Sequence, residues 1–263
     1  MELYHYYPGT TPVIVNIPHA GTHVPPQLKA RFTPEAQSLP DTDWHVERLY
    51  AFVRDTGAHL LVAQNSRYMV DLNRNKAAET LYPGQFNTEV VPLHTFDGKP
   101  IYLKGEEPDA REVQERIAAY WQPYHNKLQK VLAGTIEKYG RAVLLDAHSI
   151  RSEVPQLFEG VLPSLSIGTS GGETAAADLT EKVLGVCEAS PYSTVLNGRF
   201  KGGYITRNYG KPDIGSHVIQ LEMAQKDYMH EGEPFEYAPA KAAQMQRLVL
   251  KPLVEKLIHW AMH

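Results

Sequence analysis

Thiol chemistry is almost missing from this sequence. Cys187 is the single cysteine in 263 residues, which excludes an intramolecular disulfide and a thiolate-bound metal, and a cytoplasmic location is expected. An excess of positive charge is missing as well. The 26 Lys and Arg stand against 30 Asp and Glu, giving a net charge of -4 and a pI near 6.3, without a basic stripe or polybasic run. Neither a nucleic acid nor a membrane surface is therefore expected as a partner, although local arginines can still meet a small anion. No apolar run approaches membrane-spanning length, and residues 1–9 carry neither the basic start nor the apolar core of a signal peptide. Repeats, low-complexity tracts and an evident linker are also missing, so residues 1–263 are expected to form one domain. Nothing in the chain suggests a protein partner.

What is present begins with Ala142-Val143-Leu144-Leu145-Asp146-Ala147-His148-Ser149. A continuous apolar run predicts a central strand buried on both faces, and polar chemistry starts abruptly at Asp146 and His148. In an open α/β sheet, ligands sit at the carboxyl ends of the strands. Residues 12–18, a β-rich run bounded by prolines, deliver His19 in the same way. Asp41-Thr42-Asp43 predicts the start of a helix of three to four turns, with Asp43 as N-cap, a stripe of Val46, Leu49, Tyr50 and Val53, and Gly57 as the stop. Residues 59–63 and 67–72 read as two short strands, followed by a polar loop at 73–76. Residues 75–108 are expected to form a long excursion near the site, with a small hairpin around Asp97-Gly98.

Asp109 and Glu112 resemble a capping box that opens a long amphipathic helix, which Pro123 should kink and Gly140 should end. Beyond the central strand, residues 165–169 and 192–196 read as strands and residues 174–187 as a helix. Residues 197–203 form a Gly-rich basic loop suited to an anion. Residues 217–223 alternate, with Ile219, Leu221 and Met223 on one face and Gln220 and Glu222 on the other. A covering helix runs from about 239, interrupted by Pro252. Strands and helices alternate through most of the chain, which predicts an α/β fold, a three-layer α/β/α sandwich with a mixed central sheet.

Two chemistries compete for these residues. A metal-dependent hydrolase needs about three nitrogen or oxygen ligands, an open position and a carboxylate to take a proton from water. His19, His148 and Asp43 offer the ligands. Glu222 lies among apolar neighbours, where an unpaired charge is costly, and offers the base. The alternative is a serine hydrolase: Gly168-Thr169-Ser170-Gly171-Gly172 matches Gly-x-Ser-x-Gly between a strand and a helix, with Asp213 and His217 downstream. That arrangement leaves His19, His148 and Glu222 without work.

Several longer blocks occur in one order: Asn16-Ile17-Pro18-His19-Ala20-Gly21, Asp41-Thr42-Asp43-Trp44, residues 67–74, Asp146-Ala147-His148-Ser149, residues 197–207 and Gln220-Leu221-Glu222-Met223. From about residue 12 to 225 the chain resembles N-formylglutamate amidohydrolases. The resemblance implies hydrolysis of N-formyl-L-glutamate to formate and L-glutamate in histidine degradation, by a zinc-dependent amidohydrolase acting on linear amides. It also implies a fold like that of zinc carboxypeptidases. Those enzymes place a His and a Glu three residues apart, whereas His19 is followed three residues later by Thr22; the third ligand is then Asp43 in preference to Asp41 or Glu47.

One Zn2+ would be held by His19, Asp43 and His148, with Glu222 as the catalytic base and Asp146 orienting a ligand from behind. Arg67, Asn73, Arg74, Lys201 and Arg207 are the candidates for binding a dicarboxylate substrate. A zinc hydrolase of another N-acyl amino acid would share the catalytic set, and a non-catalytic binder of small anions would need no metal.

Overall fold

In this computed structural model, which describes residues 2–77 and 88–263, seven strands of the described residues form one sheet. They are β1 (Tyr4–Tyr7), β2 (Val13–Ile17), β3 (His59–Ala63), β4 (Ala142–Ile150), β5 (Leu165–Gly168), β6 (Thr194–Leu196) and β7 (Ser216–Ala224), in the order β1-β3-β2-β4-β7-β5-β6. β3, β2, β4 and β7 run parallel, whereas β1 on β3 and β5 on β7 are antiparallel, so the sheet is mixed. Helices cover both faces, giving the three layers. On one side Val15, Val62, Leu145 and Leu221 pack with Leu49, Leu179, Val183 and Leu257; on the other Ile14, Leu61, Leu144 and Val218 pack with Tyr124, Leu128 and Leu132. Each fully buried aliphatic side chain here contributes roughly 1.5–3 kcal/mol.

The two faces differ in one respect that positions the site. The first stays apolar along the length of β4 and β7, through Val143, Leu145, Ala147, Ile219, Leu221 and Met223. On the second, Leu144 is followed by Asp146 and His148, and Val218 by Gln220 and Glu222, because side chains two apart share a face. β4 continues to Ile150, so Asp146 and His148 lie within the strand and not beyond its end.

Several local expectations change. The stripe of Val46, Leu49, Tyr50 and Val53 is buried, but the helix is only Val46–Leu49 followed by a 3-10 segment Ala51–Asp55, and its N-cap is His45 in a left-handed conformation. Asp43 is not the cap. Residues 67–72 form turns, not a strand, and β1 is an edge strand that the sequence pattern did not reveal. Asp109 does cap its helix, accepting the Glu112 N–H at 2.7 Å.

Pro123 does not break that helix. A π-helical stretch, Ile117–Trp121, precedes it and the Gln122 N–H reaches back to Ile117 O, so the widened turn accommodates a residue that lacks an N–H. Another π-helical stretch, Gln246–Leu250, precedes Pro252. The excursion at 75–108 includes a tight turn at Asp97-Gly98, with His94 bridging to Pro100. The part of it at 78–87 lies outside the described residues.

Candidate active site

His19 leaves the end of β2 and turns back over the sheet. Gly21 permits this, since a Cβ there would fall 2.4 Å from the backbone of Gln64. The His19 carbonyl accepts the Asp43 N–H at 3.1 Å, which draws the 41–44 segment against the histidine loop. His148 comes from β4. The three side chains, all buried, bring one ligand atom each to within 4.8 Å of one another.

Each histidine is held from behind by another carboxylate. His19 Nε2–H donates to Asp71 Oδ1 at 2.8 Å, leaving Nδ1 toward Asp43 Oδ2 at 3.9 Å. His148 Nε2 lies 3.0 Å from Asp146 Oδ2, and its Nδ1 is 3.1 Å from Asp43 Oδ2. A carboxylate on the far nitrogen is the usual device that fixes the tautomer and direction of a metal-binding imidazole. Asp146 is itself held by the Asn16 amide at 2.8 Å, and Asn16 by the Tyr124 hydroxyl at 2.7 Å.

The donor set fits a metal ion. His19 Nδ1 is buried and has no hydrogen-bond partner, a costly arrangement unless that lone pair is used. Burial, then the Arg67 charge, lowers the pKa of His19 and favours the neutral form that a metal requires. Burial opposes a charge on His148 too, but Asp146 and Asp43 override it and raise its pKa well above the usual value. A proton held between His148 and Asp43 would therefore compete with any metal bound there.

Glu222 stands beside His148 in the β4–β7 register. Burial, reinforced by Asp43 and Asp146 and offset by His148 and Arg67, pushes its carboxyl up to about 8. Gln220 Nε2–H donates to Glu222 Oε2 at 3.2 Å, and Gln220 Oε1 accepts the Gly203 N–H at 2.8 Å. A Cβ at Gly203 would lie 2.4 Å from the Asn73 amide, so only glycine lets the 197–203 loop approach this closely.

A cavity opens above these groups, and His19, His148 and Glu222 line it. Of the expected substrate-binding residues, Arg67, Asn73 and Arg74 reach its wall, whereas Lys201 and Arg207 do not. Lys201 is exposed, and Arg207 Nε–H donates to Gly202 O at 3.0 Å. Arg67 is 7% exposed and donates to Asp43 Oδ1 at 2.5 Å, with Asp71 Oδ2 at 3.7 Å. Asn73 donates its N–H to Asp71 Oδ1 at 2.8 Å and accepts the Ile205 N–H at 2.8 Å. Asp41 and Glu47 are engaged elsewhere: Asp41 accepts the Tyr68 hydroxyl and the Phe96 N–H, and Glu47 is half exposed near His5 and Arg54.

Asp71, Gln220 and Arg199 were not named as site residues, although Arg199 belongs to the basic loop expected to meet an anion. Gln220 was within reach of sequence reasoning, being two residues from Glu222 and therefore on its face. The serine arrangement is not assembled. Ser170 has a left-handed backbone (φ 51°), but its hydroxyl donates to Glu173 at 3.3 Å while His217 Nδ1 accepts the Ala176 N–H.

Known proteins resemble this chain along most of its length. A family model described as N-formylglutamate amidohydrolase matches residues 11–229. The N-formylglutamate deformylase of Pseudomonas putida is 44% identical over 256 residues, 97% of this chain and 95% of that protein. That of Pseudomonas aeruginosa is 44% identical over 260 residues, covering 98% and 97%. Among solved structures, the N-formylglutamate amidohydrolase of Ralstonia eutropha JMP134 has a TM-score of 0.81 at 24% identity, covering 98% of this chain and 96% of that one, a likeness of fold.

Proposed function

The chain belongs to the N-formylglutamate amidohydrolase family, and on that premise we propose that it hydrolyses N-formyl-L-glutamate to formate and L-glutamate, in histidine degradation, with a metal held by His19, Asp43 and His148. The observation that carries the metal is the convergence of these three buried ligand atoms, each histidine backed by a second carboxylate. Two imidazole nitrogens and one carboxylate oxygen are a donor set suited to zinc. When bound, such an ion supplies a Lewis acid for the formyl oxygen and acidifies a water molecule.

The side chains perform the remaining tasks. Glu222 takes the proton from the attacking water and delivers it to the departing amine. Its burial supports this role, because a carboxyl raised toward neutrality is a stronger base than an exposed one, and a bound metal cation would favour its ionised form. Gln220 holds one Glu222 oxygen, leaving the other for water. Arg67, buried between Asp43 and Asp71, keeps a fixed positive charge on the cavity wall, where negative charge builds on the formyl oxygen. Asp71 and Asp146 keep the two imidazoles oriented.

One sheet takes its strands from Tyr4 through Ala224, and the C-terminal helix Lys251–Met262 packs against it, which supports a single working domain. Among the described residues no helix is long and apolar enough to cross a membrane, and the single buried cysteine supports a reducing compartment such as the cytoplasm. The decisive assay is hydrolysis of N-formyl-L-glutamate by protein of known metal content, before and after chelation. Activity lost with the metal and restored by zinc is expected. Full activity in metal-free protein would sink the metal mechanism, and turnover of other N-acyl amino acids alone would sink the substrate.

A further inference from the structure

We propose that Arg199 is the specificity-determining residue that receives the side-chain carboxylate of the substrate, while Arg74 receives the α-carboxylate. Granted the formylglutamate activity proposed for this site, two carboxylates need partners. Among the described residues three arginines line the cavity: Arg67, Arg74 and Arg199. Arg67 donates to Asp43 among the proposed metal ligands, which puts its charge at the reacting end of the cavity. Arg74 and Arg199 are the arginines on the rest of the wall.

Their surroundings decide which takes which. Arg74 is tied to the metal side of the cavity, because its Nη1–H donates to Asn73 O at 3.2 Å and the Asn73 amide nitrogen lies 3.2 Å from His148 Nε2. The α-carboxylate is attached to the carbon that bears the reacting nitrogen, so it belongs at that end. The side-chain carboxylate lies two methylene groups further on, and those methylenes require an apolar wall. Ile150, Leu157 and Phe200, parts of one apolar cluster on the cavity wall, supply one. Arg199 Nε–H donates to Leu157 O at 2.6 Å, and its guanidinium lies 5.4 Å from the Phe200 ring centroid. A carbonyl and an aromatic ring together fix the guanidinium plane, which a forked contact with a carboxylate requires.

The test compares kcat/KM for N-formyl-L-glutamate and N-formyl-L-glutamine in wild type, Arg199→Ala, Arg199→Gln and Arg74→Ala, with metal content measured in each. Gln at 199 can still donate to Leu157 O, so it separates charge from wall support if the alanine variant folds poorly. Wild type should prefer the glutamate substrate, and that preference should fall roughly 100-fold in Arg199→Gln at unchanged metal content, the scale of a hydrogen bond between charged groups. Arg74→Ala should lower both substrates and leave the ratio near that of wild type. A ratio unmoved at residue 199, or one that collapses only in Arg74→Ala, would overturn the assignment. Inability of wild type to hydrolyse N-formyl-L-glutamate would instead refute the activity on which it rests.

Discussion

His148 on β4 and Glu222 on β7 are direct partners in the parallel register, with their side chains on the same face of the sheet. The spacing of neighbouring strands, about 4.8 Å, therefore sets the distance between the proposed metal ligand and the proposed base. No loop is involved in that relationship, and both residues are almost fully enclosed. Their roles separate by mutation.

His148→Ala should lose bound metal and activity together. Glu222→Gln should keep the metal while kcat falls by roughly two to four orders of magnitude, the usual scale for a general base. Metal analysis beside steady-state kinetics checks both. A metal-free Glu222→Gln protein would make Glu222 a ligand.

Asp71→Asn and Asp146→Asn should each weaken metal affinity or activity roughly 10 to 100-fold, as partners on the far nitrogen of a ligating histidine generally do. Chelator competition measures the affinity. Wild-type affinity in Asp71→Asn would mean that the 2.8 Å contact with His19 does not orient the ring.

His125 lies outside the site and gives the fold a dependence on pH. Burial lowers its pKa from 6.5 to about 4 despite its bond to Leu72 O. The unfolded chain takes up a proton below pH 6.5 that the folded chain refuses until about pH 4. Its contribution is thus complete above pH 6.5 and is lost as the pH falls toward 4, by about 3 kcal/mol at most. Denaturant unfolding of His125→Gln should show a flatter dependence across that window than wild type. Identical slopes would remove His125 as the cause.

Cys187 should be inert in the native state. It is fully buried, and burial pushes its thiol up to about 12, so almost no thiolate exists near neutrality. A chromogenic disulfide reagent should react only upon unfolding, with one equivalent per chain. Rapid labelling of native protein would show that the helix Ala177–Glu188 opens readily.

Local signals were sufficient wherever the relevant physics was local. The alternation of residues 217–223 put Glu222 and Gln220 on one face, the apolar run at 142–145 marked a central strand, and Asp109 capped its helix through a bond three residues away. The missing N–H of Pro123 was legible, but the π-helical stretch Ile117–Trp121 that precedes it was not.

The sequence by itself determined the family resemblance, the layered α/β class, and His19, His148 and Glu222 as the chemically costly residues to explain. Only the tertiary structure showed what Asp43, Asp71 and Arg67 touch. Local spacing reads Asp43 as a helix cap and only the family resemblance made it a ligand; its carboxylate meets His148, 105 positions away, and Arg67, 24 away. Asp71 lies in a segment that reads as a strand, yet it turns to meet His19 across 52 positions. Helix caps and strand alternation act over a few residues and leave a periodic trace in the chain. A buried carboxylate is satisfied by whichever cation or N–H donor the packed sheet brings beside it, and no spacing along the sequence encodes that choice.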